Sequence, residues 1–334
     1  MRAAIKGWGS ALPPKQLDNR ELASRLGVSE DWIFGRTGIR SRRKVDGEAT
    51  SFLAIQASRA AIERSGIPPH DIDLVMVATS TPDFLFPSTA SLVQAELGCL
   101  NAGAFDLNAA CSGFLYGMAL ADSSIESGAS RRILLCGADT LTAVTDYSDA
   151  HSCVLFGDGA GAVVFEAAVD DSGLGPFILR SDGSDPSLLY VDADEGLIKM
   201  QGREVYRRAV DGMTKAVTEV LARSGIGIAD VGLVIAHQAN ARIIEAVASR
   251  LDIDPQKLPV SIEMIGNTAS ASIPIAICQA ADEGLLSAGD VVVITAFGAG
   301  FTWGAGLIRW DPVRSPNQAT GERLLVDVAL TGTP

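Results

Sequence analysis

A short internal repeat constrains the fold of this chain more than any other feature. Arg64-Ser-Gly-Ile, followed by Asp71-Ile-Asp-Leu-Val, recurs as Arg223-Ser-Gly-Ile, followed by Asp230-Val-Gly-Leu-Val, and both parts are shifted by 159 residues. Each copy contains a helix end, a turn and the next strand. A constant shift across three such elements indicates a duplicated unit, so we expect two similar halves.

The two halves predict an α/β protein. Short apolar strands alternate with amphipathic helices, which is typical of a mostly buried sheet covered by helices. After each copy come a helix (about 88–98 and 240–250), a segment of small residues (NAACSG and GNTASAS), an apolar helix, a strand and a Gly-rich turn. We predict an N-terminal half at 1–170, a C-terminal half at 171–310, a joining loop at about 182–202 and a loosely held tail at 311–334.

Composition limits where the protein works and what it binds. The chain has no run of about 18 apolar residues, which a membrane span requires, and its start, MRAAIKGWGS, lacks a secretory signal. The five cysteines are widely spaced and no CxxC occurs, which argues against disulfides and against a zinc or iron site. We expect a cytoplasmic protein with reduced thiols, no metal and no membrane partner.

The net charge of −13 bears on the choice of partners. Binding to nucleic acid rests on neutralising phosphates with Lys and Arg, so a nucleic-acid partner is not expected. An anionic partner would have to meet a local basic patch. The two candidates are the clusters at 36–44 (RTGIRSRRK) and 203–208 (REVYRR), and charge alone does not separate such a patch from a solvated surface.

Cys111, in NAACSG, is the candidate nucleophile. It stands at the expected start of an apolar helix, and the shift of 159 pairs it with Ser270 in GNTASAS. Unpaired N–H groups and the helix dipole stabilise an anion at such a position, so we expect a thiolate with a lowered pKa. The neighbouring small residues leave room for an acyl group. The other four cysteines lie in apolar segments and are expected in the core.

Two polar residues of the second half are candidates for the same site. His237 directly follows the apolar strand VGLVIA, at the carboxyl end where open α/β sheets place their ligands. Asn267 precedes the helix start that matches Cys111, although it could serve only as a helix cap. Each is weak evidence alone. If a pseudo-twofold axis relates the halves, Cys111, His237 and Asn267 converge at the centre of the molecule.

The motifs make the chain recognisable. Over nearly its full length, 1–310, it resembles the β-ketoacyl-acyl-carrier-protein synthase III family of the thiolase superfamily. The matching segments are DWIFGRTGIRSRR, FPSTA, NAACSGF, LFGDGAGAVV, HQANARII, GNTASASIP and FGAGFTWG. The resemblance implies the thiolase-like fold, in which two pseudo-duplicated α/β halves form αβαβα layers. It also implies a catalytic triad of Cys111, His237 and Asn267.

The resemblance implies a reaction in two stages. An acyl thioester would transfer its acyl group to Cys111, and a malonyl group on acyl carrier protein would then lose carbon dioxide and attack the acyl carbon. His237 and Asn267 would bind the enolate oxygen. The backbone N–H groups of Cys111 and Ala299 would form the oxyanion hole, and Phe297 would line the decarboxylation pocket. Such an enzyme primes fatty-acid or polyketide synthesis and needs no cofactor beyond its thioester substrates.

The resemblance also assigns substrate and partner contacts. Trp32 and Arg36 would bind the adenine and phosphates of coenzyme A, with Asn240 along the pantetheine arm. Phe86 would reach across a homodimer to form the floor of the partner's acyl pocket. Carrier-protein docking would fall to Arg207, Arg208 and Arg242.

Position 150 departs from the family, which usually has an arginine there that sandwiches the adenine together with Trp32. Alanine stands at this position in the present chain. Ala150 therefore predicts weak discrimination between acyl groups on coenzyme A and on shorter or protein-borne pantetheine.

Several alternatives share the architecture. A thiolase needs a second cysteine at the closing turn, which FGAGF lacks, and a hydroxymethylglutaryl-coenzyme-A synthase needs a glutamate where VATSTPDF has none. Plant-type polyketide synthases have a GFGPG-like closing turn, and a noncatalytic relative would be expected to lose the nucleophile. One alternative stays open, namely transfer of the acyl group to a hydroxyl or amine with His237 as general base and no decarboxylation.

Overall fold

The structure, a computed structural model, describes residues 1–168 and 172–311 and the backbone of 326–327. The strands of the first half are β1 (Ala3–Leu12), β2 (Gln16–Asp18), β3 (Ser41–Arg43), β4 (Leu74–Ala78), β5 (Gly103–Leu107), β6 (Arg132–Thr140) and β7 (Asp158–Ala167). Its helices are α1 (Asn19–Leu26), α2 (Glu30–Thr37), α3 (Thr50–Ser65), α4 (Thr89–Leu97) and α5 (Gly113–Glu126).

The later strands are β8 (Gly173–Ser181), β9 (Leu189–Val191), β10 (Ile198–Met200), β11 (Leu233–Ala236), β12 (Val291–Gly298), β13 (Thr302–Arg309) and β14 (Val326–Asp327). The later helices are α6 (Gly202–Ser224), α7 (Ala241–Leu251) and α8 (Ser272–Asp282).

The order of the strands displays the duplication. One sheet has the order β14-β1-β7-β6-β4-β5 and the other the order β11-β12-β13-β8. In chain order β8, β11, β12 and β13 match β1, β4, β6 and β7, so the second sheet repeats the central four strands of the first. β4 pairs with β6 in parallel, as β11 does with β12, and the remaining matched pairs are antiparallel. The predicted pseudo-duplicated fold is confirmed.

Helices and sheets alternate in five layers. α3 and α4 cover the outer face of the first sheet, in a core that contains Leu53 and Val164. α6 and α7 cover the outer face of the second sheet, where Val217 packs with Val293. α5 and α8 lie between the two sheets, with Phe114 fully buried in the central core. This is the expected αβαβα arrangement, and it places the starts of α5 and α8 at the centre.

The apolar strands follow from this layering. On β6, Ile133 and Leu135 belong to the central core, whereas Leu134 and Cys136 belong to the outer core. Successive side chains of a strand point to opposite faces, so a strand covered on both sides must be apolar throughout. That is why RILLCGA reads as an uninterrupted apolar run.

The glycines of FGDGAGAVV allow a central helix to approach β7. A Cβ at Gly161 would lie 2.7 Å from the backbone N of Ile275 on α8, closer than real Cβ contacts come. The absence of a side chain at Gly161 therefore lets α8 pack closely against β7 of the first sheet, which joins the two halves.

The segment at 182–202 does not join the halves, so that prediction is wrong. It lies within the second half, between β8 and α6, and contains the antiparallel hairpin of β9 and β10. The halves connect between β7 and β8. The predicted boundary at 170–171 falls outside the described residues, as does the tail apart from Asp311 and β14, which pairs in parallel with β1.

α1 and α2 have clear local signals. Asp18 and Ser29 accept hydrogen bonds from backbone N–H groups of the first turns of α1 and α2, and both helices end at a glycine with positive φ. α2 carries Trp32 and Arg36 to the mouth of a large cavity.

Among the described helices, none combines the length and the apolar character needed to cross a bilayer. All five cysteines are free thiols.

Candidate active site

A cavity of about 1430 Å³ leads from α2, α6 and α7 to the start of α5. Cys111, His237 and Asn267 all line it. Of the other residues singled out in the sequence, the cavity wall includes Trp32, Arg36, Ala150, Arg207, Asn240, Arg242 and Phe297. Phe86, Arg208 and Ala299 do not line it. The structure thus brings residues 111, 237 and 267, which are distant in sequence, into one chamber.

Cys111 lies in a 3₁₀ turn, Ala110–Ser112, that runs directly into α5. Ala110 has φ +46°, a conformation uncommon outside glycine, and its N–H donates to Oδ1 of Asn108 at 3.1 Å. The same turn occurs 159 residues later, where Ala269 also has φ +46° and its N–H donates to Oδ1 of Asn267 at 3.0 Å. Backbone strain at matched positions is a feature of functional sites, and here it survives in both halves.

The thiol of Cys111 is protonated at rest. Burial raises its pKa to about 12, and the negative charge of Asp139 adds to the rise. The expected thiolate with a lowered pKa is therefore wrong. The reason is that burial disfavours the charged thiolate and Asp139 repels it, and these effects outweigh the stabilisation expected from the helix start.

His237 follows β11 and is 1% exposed. Its backbone N–H donates to the carbonyl of Thr295 at 2.8 Å, and Nδ1 lies 3.0 Å from Oγ of Ser272 at the start of α8. Burial lowers the pKa of His237 to about 4. The imidazole is therefore neutral at pH 7.

Asn267 has a fixed side-chain orientation. Its backbone N–H donates to the carbonyl of Leu155, its own carbonyl accepts from Gly157, and Oδ1 is engaged by Ala269. The amide nitrogen Nδ2 donates to none of the described residues and belongs to a side chain that lines the cavity. Both N–H groups of Nδ2 are therefore available to donate to a bound molecule.

The N–H of Cys111 faces Gly298. A Cβ at Gly298 would lie 2.8 Å from the backbone N of Cys111 and 3.0 Å from that of Ser112, so only glycine leaves space there. Cys111 N donates to no carbonyl of the described residues. A free N–H beside a nucleophile is half of an oxyanion hole, and Ala299 is the next residue along the chain.

Two side chains join the turn of Ala299 to the turn of Cys111. Oγ1 of Thr302 lies 2.9 Å from the carbonyl of Ala109 and 3.1 Å from that of Ala299. In return, Oγ of Ser112 donates to the carbonyl of Thr302 at 3.0 Å. These contacts fix the relative position of the two predicted oxyanion-hole donors. Sequence reasoning missed both residues, since their hydroxyls reach these backbone carbonyls only after the halves pack.

Asp139, at the end of β6, is a fully buried carboxylate that sequence reasoning also missed. Its Oδ2 accepts from the N–H and the hydroxyl of Ser270 at 2.9 and 2.5 Å, and Oδ1 accepts from the N–H of Ser80 at 2.7 Å. Burial raises its pKa to about 6. The sequence did contain a signal, because the shift of 159 carries Asp139 onto Gly298.

α2 and α7 meet at the cavity mouth. The guanidinium of Arg36 lies over the Trp32 ring at 4.4 Å from its centroid, and Nδ2 of Asn240 donates to the Arg36 carbonyl at 3.0 Å. Oδ1 of Asn240 caps α7 by accepting from the N–H of Arg242. Ala150 also lines the cavity. Arg36 therefore already covers one face of the indole.

The arginines predicted for docking differ in their surroundings. Arg208 contacts three carboxylates, and Arg207 contacts two; the five contacts involve Glu204, Asp182, Asp185 and Asp211. Arg242 is exposed, rests near the Tyr206 ring and has no ion pair among the described residues. Arg203, which also lines the cavity, has no such pair either.

Phe297 and Phe86 occupy different environments. Phe297 is 6% exposed at the end of β12 and packs on Phe301 and Trp303, with ring centroids 4.9 and 6.4 Å away. Phe86 is 85% exposed. Phe297 is thus a wall of the cavity, and Phe86 is a surface residue of the single chain.

Two α/β halves of one origin, with a cysteine on a central helix start and histidine and asparagine donors in the same cavity, define a thiolase-fold enzyme that transfers acyl groups. Sequence models of 3-oxoacyl-[acyl-carrier-protein] synthase III match residues 105–183 and, for the C-terminal domain, residues 221–310. The chain belongs to this family of condensing enzymes.

Relatives match this chain over most of their length. A β-ketoacyl-[acyl-carrier-protein] synthase III of Erythrobacter litoralis is 47% identical over 320 residues, which cover 93% of this chain and 100% of the relative. The crystal structure of the 3-oxoacyl-[acyl-carrier-protein] synthase III from Aquifex aeolicus matches with a TM-score of 0.91 and 44% identity, covering 92% and 100% of the two chains. The priming β-ketosynthase of a polyketide biosynthetic pathway matches with a TM-score of 0.88 and 34% identity, covering 93% and 97%.

Proposed function

We propose that Cys111 accepts an acyl group from a thioester and passes it to malonyl-acyl carrier protein by decarboxylative condensation, which starts a fatty-acid or polyketide chain. One observation carries the proposal. Cys111, whose N–H lies near Gly298 and donates to no carbonyl of the described residues, shares a cavity with two side chains whose orientation makes them hydrogen-bond donors. Donors that stabilise an enolate are what a decarboxylative condensation requires.

In the first stage the Cys111 sulfur attacks the thioester carbonyl. The developing oxyanion is bound by the N–H of Cys111 and that of Ala299, each worth about 3 kcal/mol in such sites. The donor's sulfur leaves and takes up the proton of the thiol, so the exchange of one thioester for another is balanced. The thiol therefore needs no standing thiolate.

In the second stage malonyl-carrier protein occupies the same cavity. Loss of carbon dioxide creates the carbanion, and no side chain has to remove a proton from carbon. Neutral His237 and the amide of Asn267 stabilise the oxygen of the resulting enolate, and Phe297 supplies an apolar wall that favours loss of the carboxylate charge.

The division of roles is tested by measuring the two stages separately. Cys111→Ala should eliminate acylation by a radiolabelled acyl thioester, whereas His237→Ala and Asn267→Ala should reduce condensation by about 10²–10³-fold and acylation far less. Asn267→Asp is a sharper variant, because it keeps the acceptor for the N–H of Ala269 but has no amide donor. Equal losses in both stages for all variants would contradict the proposal.

Docking of the acidic carrier protein is proposed at the cavity mouth. Arg242 and Arg203 have no carboxylate partner among the described residues, so their charge is available, whereas that of Arg208 is largely compensated. This supports Arg242 as the main contact among the arginines named from the sequence. Arg242→Glu should raise KM for malonyl-carrier protein and leave KM for malonyl-pantetheine unchanged, with Arg208→Glu as the matched variant of smaller effect.

The donor thioester is proposed to be bound mainly through its pantetheine arm. Ala150 offers no cation to stack on an adenine bound against Trp32, and Arg36 already covers one face of the Trp32 ring. A stacked cation contributes about 0.5–2 kcal/mol, or roughly 2- to 30-fold in affinity. Ala150→Arg should therefore raise kcat/KM for acyl-coenzyme A relative to acyl-carrier protein; a strong preference of the natural enzyme for coenzyme A, unchanged by arginine, would contradict this.

A homodimer is proposed from the surface of the first sheet. Phe84, Leu85 and Phe86 are 56, 96 and 85% exposed, and Phe105 on the edge strand β5 is 42% exposed. Such a patch beside an open strand edge favours pairing with a second copy. Light scattering should give a dimer at about micromolar concentration, and Phe86→Ala should change acyl-chain preference. A fully active monomer would contradict the proposal. A cytoplasmic location stays a prediction.

A further inference from the structure

Ser272, the first residue of α8, contacts the ring of His237 and the backbone beside it. Its Oγ lies 3.0 Å from Nδ1 of His237 and 2.7 Å from the backbone N of Gln238. Ser272 is 2% exposed and His237 is 1% exposed. Because buried polar groups need partners, these three groups must satisfy one another within the protein.

Proton accounting decides the direction of both hydrogen bonds. The backbone N–H of Gln238 can only donate, so Oγ of Ser272 accepts it. The hydroxyl hydrogen then needs an acceptor, and among the described residues Nδ1 of His237 is the one within reach. The opposite arrangement, with Nδ1–H donating to Oγ, leaves the hydroxyl hydrogen unpaired at a cost of about 1–3 kcal/mol.

The ring of His237 carries one proton at pH 7, because burial lowers its pKa to about 4. With Nδ1 accepting from Ser272, that proton is on Nε2. Nε2 makes no hydrogen bond to a described residue, and His237 lines the cavity. The histidine therefore presents an N–H, rather than a lone pair, to a bound substrate.

We propose that Ser272 is a positioning residue that holds His237 as the Nε2–H tautomer and thereby selects a malonyl thioester, rather than a hydroxyl or amine, as the acyl acceptor. This role rests on the proposed function, because the Nε2–H tautomer is the form that a condensation with malonyl thioester uses. An Nε2–H donates to an oxygen that gains charge, but it cannot accept the proton of a hydroxyl or an amine.

The step that benefits is the loss of carbon dioxide. The bond between the malonyl carboxylate and the α-carbon breaks, and its electron pair becomes an enolate whose oxygen accepts from Nε2–H of His237 and from Nδ2 of Asn267. The enolate carbon then bonds to the acyl carbon on Cys111. The sulfur leaves with the electron pair and takes a proton from solvent.

The tautomer is directly observable by nitrogen NMR of protein labelled at the imidazole nitrogens. The chain has three histidines, so a His237→Gln sample assigns the signals. The natural enzyme should show His237 protonated at Nε2 alone. Ser272→Ala should show both tautomers, and Ser272→Thr, which keeps the hydroxyl, should restore the single form.

The kinetic test compares the two stages in the same variants. Ser272→Ala should lower release of carbon dioxide from malonyl-carrier protein about 10- to 100-fold, the loss typical when the outer partner of a functional histidine is removed. Acylation of Cys111 should fall less than about threefold. Ser124→Ala is the matched control, because Ser124 lies on α5 and its hydroxyl bonds to that of Ser130 at 3.0 Å, away from His237.

The outcomes distinguish a failure of the role of Ser272 from a failure of the proposed function. A proton on Nδ1 in the natural enzyme, or unchanged tautomer and condensation in Ser272→Ala, would overturn the role of Ser272. If the natural enzyme releases no carbon dioxide from malonyl-carrier protein, the proposed function fails, and the NMR result still decides the tautomer.

Discussion

Cys111 and Ser270 occupy the same place in the two halves, and the turns that hold them are alike. Each follows an alanine with φ +46°, and in each turn an asparagine, Asn108 or Asn267, accepts the N–H of that alanine. The two turns differ in the residue that each N–H meets at the end of a strand of the other half. The N–H of Ser270 donates to the buried carboxylate of Asp139, whereas the N–H of Cys111 faces the empty side of a glycine.

This difference explains why the duplicated fold has one active site and not two. Asp139 and its counterpart, Gly298, stand 159 residues apart on matched strands. A carboxylate at one corner satisfies the N–H groups and would repel an oxyanion, so that corner is structural. Glycine at the other corner leaves the N–H of Cys111 without a carbonyl or carboxylate acceptor among the described residues, so this N–H is available for reaction.

The largest expected effect tests whether a cysteine at position 270 can take over the role of Cys111. Cys111→Ala should abolish labelling by a radiolabelled acyl thioester. Adding Ser270→Cys to that variant should not restore labelling, because Asp139 already accepts the N–H of residue 270 and would repel the developing charge. Recovery of covalent labelling at position 270 would show that the nucleophile alone distinguishes the two corners.

The second-largest effect is expected from filling the space that Gly298 leaves beside the N–H of Cys111. Gly298→Ala places a Cβ 2.8 Å from the N of Cys111, so it should lower kcat of acylation by about 10²–10³-fold, the loss seen when an oxyanion-hole donor is removed. Gly35→Ala, whose Cβ meets no atom within 4 Å, is the control. A variant that melts normally and retains full acylation would remove Gly298 from the oxyanion hole.

A smaller effect is expected from loosening the join between the two turns. Thr302→Val keeps the shape of the side chain but has no hydroxyl for the carbonyls of Ala109 and Ala299. Misplacing the N–H groups should lower kcat about tenfold with little change in KM, since the contact matters most in the transition state. Thr302→Ser should recover most of the activity; an equal loss in the serine variant would point to packing instead of the hydroxyl.

The smallest effect on catalysis is expected at Asp139, which accepts the N–H of Ser270. The pKa of Asp139 is raised to about 6 from an ordinary 3.8, so the native state binds its proton more tightly than the unfolded chain does. The resulting stabilisation is complete below about pH 3.8 and is lost as pH rises through about 6, with a span of up to about 3 kcal/mol.

Asp139→Asn removes this dependence. Urea unfolding between pH 4.5 and 7 should show the free energy of unfolding of the natural protein falling relative to the variant as pH rises, with kcat changed less than about threefold. A difference that stays constant over this range would mean that Asp139 titrates normally.

Much of the fold and the site could be predicted from the sequence. The repeat predicted two halves with matched strands. It also predicted that Cys111, His237 and Asn267 converge, because a duplicated sequence folds into two units related by a pseudo-twofold axis. The ionisation state of Cys111 could not be predicted in this way. It depends on how much water the packed halves exclude, which no local pattern records.

Other features depend on contacts that form only in the folded chain. The charge of Arg208 is compensated because the loop at Asp182 and Asp185 folds against α6, and the sequence shows only a basic cluster. The joining loop was misplaced because β9 and β10 are three residues each, too short for a clear alternation. Ser272 is one of several small residues in GNTASAS, and its hydroxyl meets the His237 ring only in the folded chain.

The raised pKa of Cys111 has a consequence for its reaction with oxidants. Peroxides attack thiolates, and burial together with the charge of Asp139 opposes ionisation of this sulfur. The thiol should therefore be oxidised more slowly than a cysteine that is held as a thiolate. Its reaction depends on a carbonyl that enters the oxyanion hole, so the site favours thioesters over small oxidants.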